Sequence, residues 1–70
     1  MHIGVIGAGS WGTTLANLLA GKGFTVALWA YEEELVSSMA AHKENSLYLP
    51  GIPLSANIIP TASLEEAAGN

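Results

Sequence analysis

Short continuous apolar runs alternate along this chain with stretches of helical spacing, and glycine and proline punctuate the changes. Ile3-Gly4-Val5-Ile6 is an apolar run bounded by glycine, the pattern of a strand buried on both faces of a parallel sheet. Trp11, Leu15, Leu18 and Leu19 then recur at helical spacing, which predicts a helix with these residues on its buried stripe. It should stop at Gly21-Lys22-Gly23, with Lys22 complementing the negative pole. Phe24-Thr25-Val26-Ala27-Leu28-Trp29 reads as a second strand, so strand, helix and strand form one right-handed crossover unit with parallel strands. From Glu32 the spacing is helical again: Leu35, Val36, Met39 and Ala40 share a face, Glu32, Glu33 and Glu34 fill the first turn, and His42-Lys43 the last. Residues 45–57 carry Pro50, Gly51 and Pro53 and are expected to cross the surface as a loop. Ile58-Ile59 predicts a short third strand, and Ser63-Leu64-Glu65-Glu66 is a capping-box start for a third helix. The fold class is α/β, an incomplete βαβαβ portion of a parallel sheet.

Seventy residues is less than an ordinary domain, and a chain that short buries only about 60% of the surface its unfolded form exposes. Half the residues are apolar and 11% are charged, so some apolar surface is expected to face a partner. The charges are Lys22, Lys43 and six glutamates, net -4, which argues against binding to nucleic acid or an anionic membrane. The absence of cysteine excludes disulfides, thiolate metal sites and thiol catalysis. The first residues lack the basic flank and apolar length of a signal peptide, and no apolar run has the length of a membrane span. A cytoplasmic protein is expected.

Gly7, Gly9 and Gly12 stand as G-x-G-x-x-G between a predicted strand and a predicted helix. In a dinucleotide-binding (Rossmann) fold the first glycine permits the tight turn, the second lets a pyrophosphate approach the backbone, and the third lets helix and strand pack closely. The amides at the helix start form an anion site. An acid, Glu32, follows Gly12 by twenty residues, where the ribose hydroxyls of a dinucleotide are expected. Ser10 reads as a helix N-cap, a phosphate contact, or both. The Trp11 ring suits core packing while its N–H belongs to the anion site. Trp29 reads as packing at the strand end, Glu33 and Glu34 as solvated acids, and His2 and His42 as structural; no metal site is expected.

The chain resembles the bacterial-type NAD(P)-dependent glycerol-3-phosphate dehydrogenases in Ile6-Gly7-Ala8-Gly9-Ser10-Trp11-Gly12-Thr13-Thr14-Leu15-Ala16, in Leu28-Trp29-Ala30, and in Asn45 followed by Tyr48-Leu49-Pro50-Gly51-Ile52-Pro53-Leu54. The resemblance implies hydride transfer between sn-glycerol 3-phosphate and dihydroxyacetone phosphate, for glycerophospholipid synthesis, in a parent protein expected to be a homodimer. It implies coenzyme contacts at Gly7, Gly9, Ser10, Trp11, Gly12, Tyr31 and Glu32. It puts the catalytic lysines beyond residue 70, so no residue here is assigned a catalytic role, and Lys22 and Lys43 are explained by the helix ends. Residues 1–70 would then be the amino-terminal portion of one NAD(P)-binding domain, with the substrate domain absent. The family often has arginine after the second strand, where this chain has Tyr31. Both NAD and NADP stay open, NAD being slightly favoured because Glu32 would repel a 2′-phosphate. Alternatives are a hydroxyacyl-CoA or sugar-nucleotide dehydrogenase, a flavoprotein, and a nucleotide-binding module without catalysis. In a sheet of order 3-2-1-4 the first strand needs a fourth beside it, so the 70 residues alone are expected to be inactive and prone to associate.

Overall fold

The computed structural model describes residues 2–68. In chain order the elements are β1 (His2–Ile6), α1 (Ser10–Gly21), β2 (Thr25–Trp29), α2 (Glu33–His42), β3 (Ile58–Thr61) and α3 (Leu64–Ala67). The three strands form one parallel sheet of order β1-β2-β3. Ile3 pairs with Val26 and Val26 with Ile58, so one row of side chains runs across the sheet. The next row along is Gly4, Ala27 and Ile59, which points to the opposite face because side chains alternate along a strand.

The two faces carry different helices. Val26, Leu28, Ile58, Leu35 and Met39 join one buried cluster with Ala16 and Ala20, so α1 and α2 cover the same face. A Cβ at Gly4 would overlap the carbonyl oxygen of Ala67, which puts α3 on the other face. The alternation of covering helices is that of a doubly wound sheet. β3 is longer than the two isoleucines predicted and includes Pro60. Proline is tolerated there because, among the described residues, β3 pairs with β2 alone and has one free side.

The face that α1 buries differs from the predicted stripe. Its buried residues are Thr13, Ala16 and Ala20, while Trp11 and Leu18 are exposed and Leu15 and Leu19 half-buried. Small side chains let the helix axis approach the sheet, and larger ones at those positions would hold it away. β1 also departs from expectation. Val5 is buried, but Ile6 is exposed and Ile3 half-buried, because β1 pairs only with β2 among the described residues. In α2, Leu35 and Met39 are buried as predicted and Ala40 is exposed.

The helix ends follow local chemistry. Gly23, at φ 97°, reverses the chain after α1; its N–H donates to Ala20 and that of Phe24 to Leu19. Phe24 and Leu19 both pack against the core, the apolar contact that accompanies such a stop. Lys22 is the C-cap of α1 and Lys43, in left-handed conformation, that of α2. Glu32 is the N-cap of α2 rather than a first-turn residue, so the first-turn acids are Glu33 and Glu34. The capping box of α3 is half direct and half relayed. Ser63 Oγ accepts from the Glu66 N–H, while the Glu66 carboxylate accepts from Thr61 Oγ1, which itself accepts the Ser63 N–H.

Gly4→Ala is expected to lower stability by about 1–3 kcal/mol, the usual cost of overpacking, because the added methyl must displace α3 from β1. Urea unfolding of the full-length protein carrying this segment, followed by tryptophan fluorescence, reads that loss.

Candidate coenzyme site at the glycine turn

Gly7 leaves β1 at φ 108°, a conformation that a residue with a Cβ adopts only under strain. Two residues on, Gly9 is the N-cap of α1 and its carbonyl accepts the first helical bond, from Thr13 N–H at 2.9 Å. Helical geometry leaves the amides of Ser10, Trp11 and Gly12 ahead of that bond, at the positive end of the helix. Nothing lies within 4 Å of the place a Gly9 Cβ would occupy, whereas a Cβ at Gly12 would overlap the carbonyl oxygen of Gly7. The second glycine therefore opens a cradle toward solvent and the third closes the helix onto the strand.

Tyr31 and Glu32 lie just beyond β2, whose last residue, Trp29, pairs with Ile6, the last of β1. All seven predicted site residues therefore gather at the carboxyl ends of two adjacent parallel strands, the edge where doubly wound sheets bind ligands. Tyr31 is exposed, its ring set edge-on to Trp29 with centroids 6.4 Å apart. Trp29 is fixed by its indole N–H, which donates to Ala62 O at 3.1 Å. An open hollow beside Glu32, lined also by Glu33, Glu34, Ser38 and Ser46, is acidic and unsuited to a phosphate.

Ser10 and Trp11 need correction. Ser10 makes no cap, since it is the first residue inside the helix and Gly9 holds the cap position. Its hydroxyl donates instead to Tyr48 O at 2.6 Å. The Trp11 ring, 77% exposed, packs into no core.

The residues least visible in the sequence are Asn45 and Thr13, both completely buried. The Asn45 amide donates to Ala8 O at 2.7 Å and to Thr13 Oγ1 at 2.8 Å, and accepts the Tyr48 N–H at 3.2 Å. Thr13 Oγ1 donates to the same Ala8 carbonyl at 3.2 Å. Among the described residues no buried side-chain polar atom lacks a partner. The signal for Thr13 was its spacing to Ala16 and Ala20 on the small-residue face; Asn45 stood out only as one of the residues that carry the family resemblance, with no role assigned to it. The loop that Asn45 begins is held along the length of α1. Asn17 donates to Pro53 O and accepts Ser55 N–H, and Asn57 donates to Ala20 O.

A family model describing the N-terminus of NAD-dependent glycerol-3-phosphate dehydrogenase matches residues 2–70. The chain belongs to this family. It is 70% identical over 67 residues to the NAD(P)+ glycerol-3-phosphate dehydrogenase of Geobacter sulfurreducens, covering 96% of this chain and 20% of that protein. Among solved structures, the glycerol-3-phosphate dehydrogenase of Coxiella burnetii superposes with a TM-score of 0.89 at 42% identity, over 94% of this chain and 20% of that one. The yeast glycerol-3-phosphate dehydrogenase gives 0.87 at 33% identity, over 99% and 23%. The chain thus spans about one fifth of the length of the curated dehydrogenases it matches.

The two inner glycines are expected to separate when each is changed to alanine. Gly12→Ala should cost about 1–3 kcal/mol, because the methyl meets the Gly7 carbonyl. Gly9→Ala should cost less than about 1 kcal/mol, the difference between glycine and alanine at a helix N-cap. Paired urea titrations of the two variants distinguish them.

Proposed function

We propose that this segment is the coenzyme-holding part of a glycerol-3-phosphate dehydrogenase, interconverting sn-glycerol 3-phosphate and dihydroxyacetone phosphate with NAD or NADP. One observation carries the reading: the turn is open where a pyrophosphate would approach, at Gly9, and closed where helix and strand must touch, at Gly12. Turns that merely join a strand to a helix have no need of that division. Family membership supplies the substrate pair, which nothing in the turn specifies.

In this reading Gly7, Gly9 and Gly12 shape the cradle, and the amides of Ser10 and Trp11 donate to the phosphate oxygens. Donors at a helix start need no rearrangement to meet the negative charge. Tyr31 and Glu32 flank the adenosine ribose, with the Glu32 carboxylate accepting from its hydroxyls. When bound, the nicotinamide ring carries the hydride that the reaction exchanges with the substrate carbon. The segment's own part is to bind and orient, and no catalytic residue is assigned to it. Residues 1–70 form the amino-terminal portion of one NAD(P)-binding domain, with substrate-binding groups elsewhere in a longer protein. We place that protein in the cytoplasm as a homodimer serving glycerophospholipid synthesis.

Gly9→Val, in the full-length protein, is expected to lower NADH affinity by at least about 100-fold, or 2.7 kcal/mol, while the unfolding midpoint stays near that of the unchanged protein. Calorimetric titration with NADH measures this, and undiminished affinity would remove the assignment. Coenzyme choice follows from Glu32, whose charge attracts ribose hydroxyl donors and repels a 2′-phosphate, with no arginine in the chain to offset it. The specificity constant should be higher for NADH than for NADPH, and Glu32→Gln should narrow the gap. Steady-state kinetics with both coenzymes checks the ratio.

A further inference from the structure

We infer that Asn45 is a positioning residue for the coenzyme: from the α2–β3 loop it sets the orientation of the peptide between Ala8 and Gly9, and so aims the Gly9 N–H into the cradle. The inference rests on the coenzyme reading of the glycine turn and adds to it a residue distant in sequence.

One planar group links Asn45 to the cradle. The Ala8 carbonyl receives Asn45 Nδ2 at 2.7 Å and Thr13 Oγ1 at 3.2 Å, and both donors are completely buried. Two donors from inside the protein fix that carbonyl inward. In a planar trans peptide the C=O and the following N–H point in opposite directions, so the Gly9 N–H is turned outward. Gly9 also presents open space where a side chain would stand. Asn45 suits the task because its amide carries two donors and an acceptor on one rigid plane. One donor takes the carbonyl, the other takes Thr13 Oγ1 at 2.8 Å, and the acceptor takes Tyr48 N–H. Aspartate has the same shape with acceptors where the donors are needed. Glycine freedom makes such a device necessary: Gly7 and Gly9 flank Ala8, and neither has a side chain to restrain its dihedrals.

A plain structural role for Asn45 would tie the loop down and affect stability alone. A control exists within the same loop, because Asn57 donates to Ala20 O at the far end of α1 and touches no part of the turn. The test uses the full-length protein with Asn45→Asp, Asn45→Ala, Thr13→Val, Thr13→Ser and Asn57→Ala. NADH affinity is measured by calorimetry, and amide hydrogen exchange is measured on the coenzyme-free protein.

Asn45→Asp and Asn45→Ala should weaken NADH binding tenfold or more and raise KM for NADH by more than they lower kcat. They should also speed exchange in the peptide spanning residues 7–12. Thr13→Val should do the same to a smaller extent, and Thr13→Ser, which keeps the hydroxyl, should restore the behaviour of the unchanged protein. Asn57→Ala should lose stability without changing NADH affinity or exchange in the turn. Unaltered affinity and exchange in both Asn45 variants would overturn the inference, as would effects matched by Asn57→Ala. Failure of the unchanged protein to bind NADH would count against the coenzyme reading instead, and turn exchange in the coenzyme-free variants would still decide whether Asn45 holds the peptide.

Discussion

The contact between the start of α1 and the end of β1 sets the dimensions of everything around it. With no side chain at Gly12, the helix comes down onto the Gly7 carbonyl, and the residues facing the sheet from there on are small: Thr13, Ala16 and Ala20. A helix so close to the sheet leaves room on that face for Val26 and Leu28 from the strands, while Leu15 and Leu19 of the helix are only half-buried and Trp11 and Leu18 are exposed. The same contact brings the helix start over the strand end, so that amides and an open glycine share one small region of space. Close packing at Gly12 and an open helix start at Gly9 thus sit side by side, each set by a missing Cβ.

The parts of the fold legible in the sequence were those with strong local signals. Continuous apolar runs marked β1 and β2, the glycine spacing marked the turn, and Ser63 with Glu66 marked the start of α3. The stripe on α1 was misjudged because periodicity weighs large apolar residues most heavily, and against a closely approached sheet the small residues are the buried ones. The third strand runs past the two isoleucines because Pro60, which reads as a breaker, loses no ladder bond where β3 pairs on one side only among the described residues. Nothing local disclosed that Gly4 accommodates the carbonyl of Ala67, since that pairing depends on how the chain crosses to the second face.

The candidate site divides in the same way. Its glycines were legible, and so was the position of Tyr31 and Glu32 beyond β2. The role of Ser10 was not, because its bond to Tyr48 O joins residues 38 apart, and residue type alone suggested a cap. Asn45 was hidden for a related reason: a polar residue in a proline-containing stretch looks like ordinary loop, and its complete burial is a tertiary fact.

The ties between the loop and the turn also bear on the order in which the chain can fold. The strand-helix-strand unit from β1 to β2 holds the whole glycine motif and is built from contacts of modest sequence separation, which form early because little chain entropy is lost in closing them. The hydrogen bond from Asn45 to Ala8 closes a separation of 37 residues, and it must wait until α2 has docked and the chain has turned back toward α1. During synthesis from the amino end, the glycines leave the ribosome before residue 45, and the hydrogen bond that holds the peptide beside them forms only after that residue has followed. The motif is contiguous in sequence, and its rigidity arrives later, from the far side of a second helix.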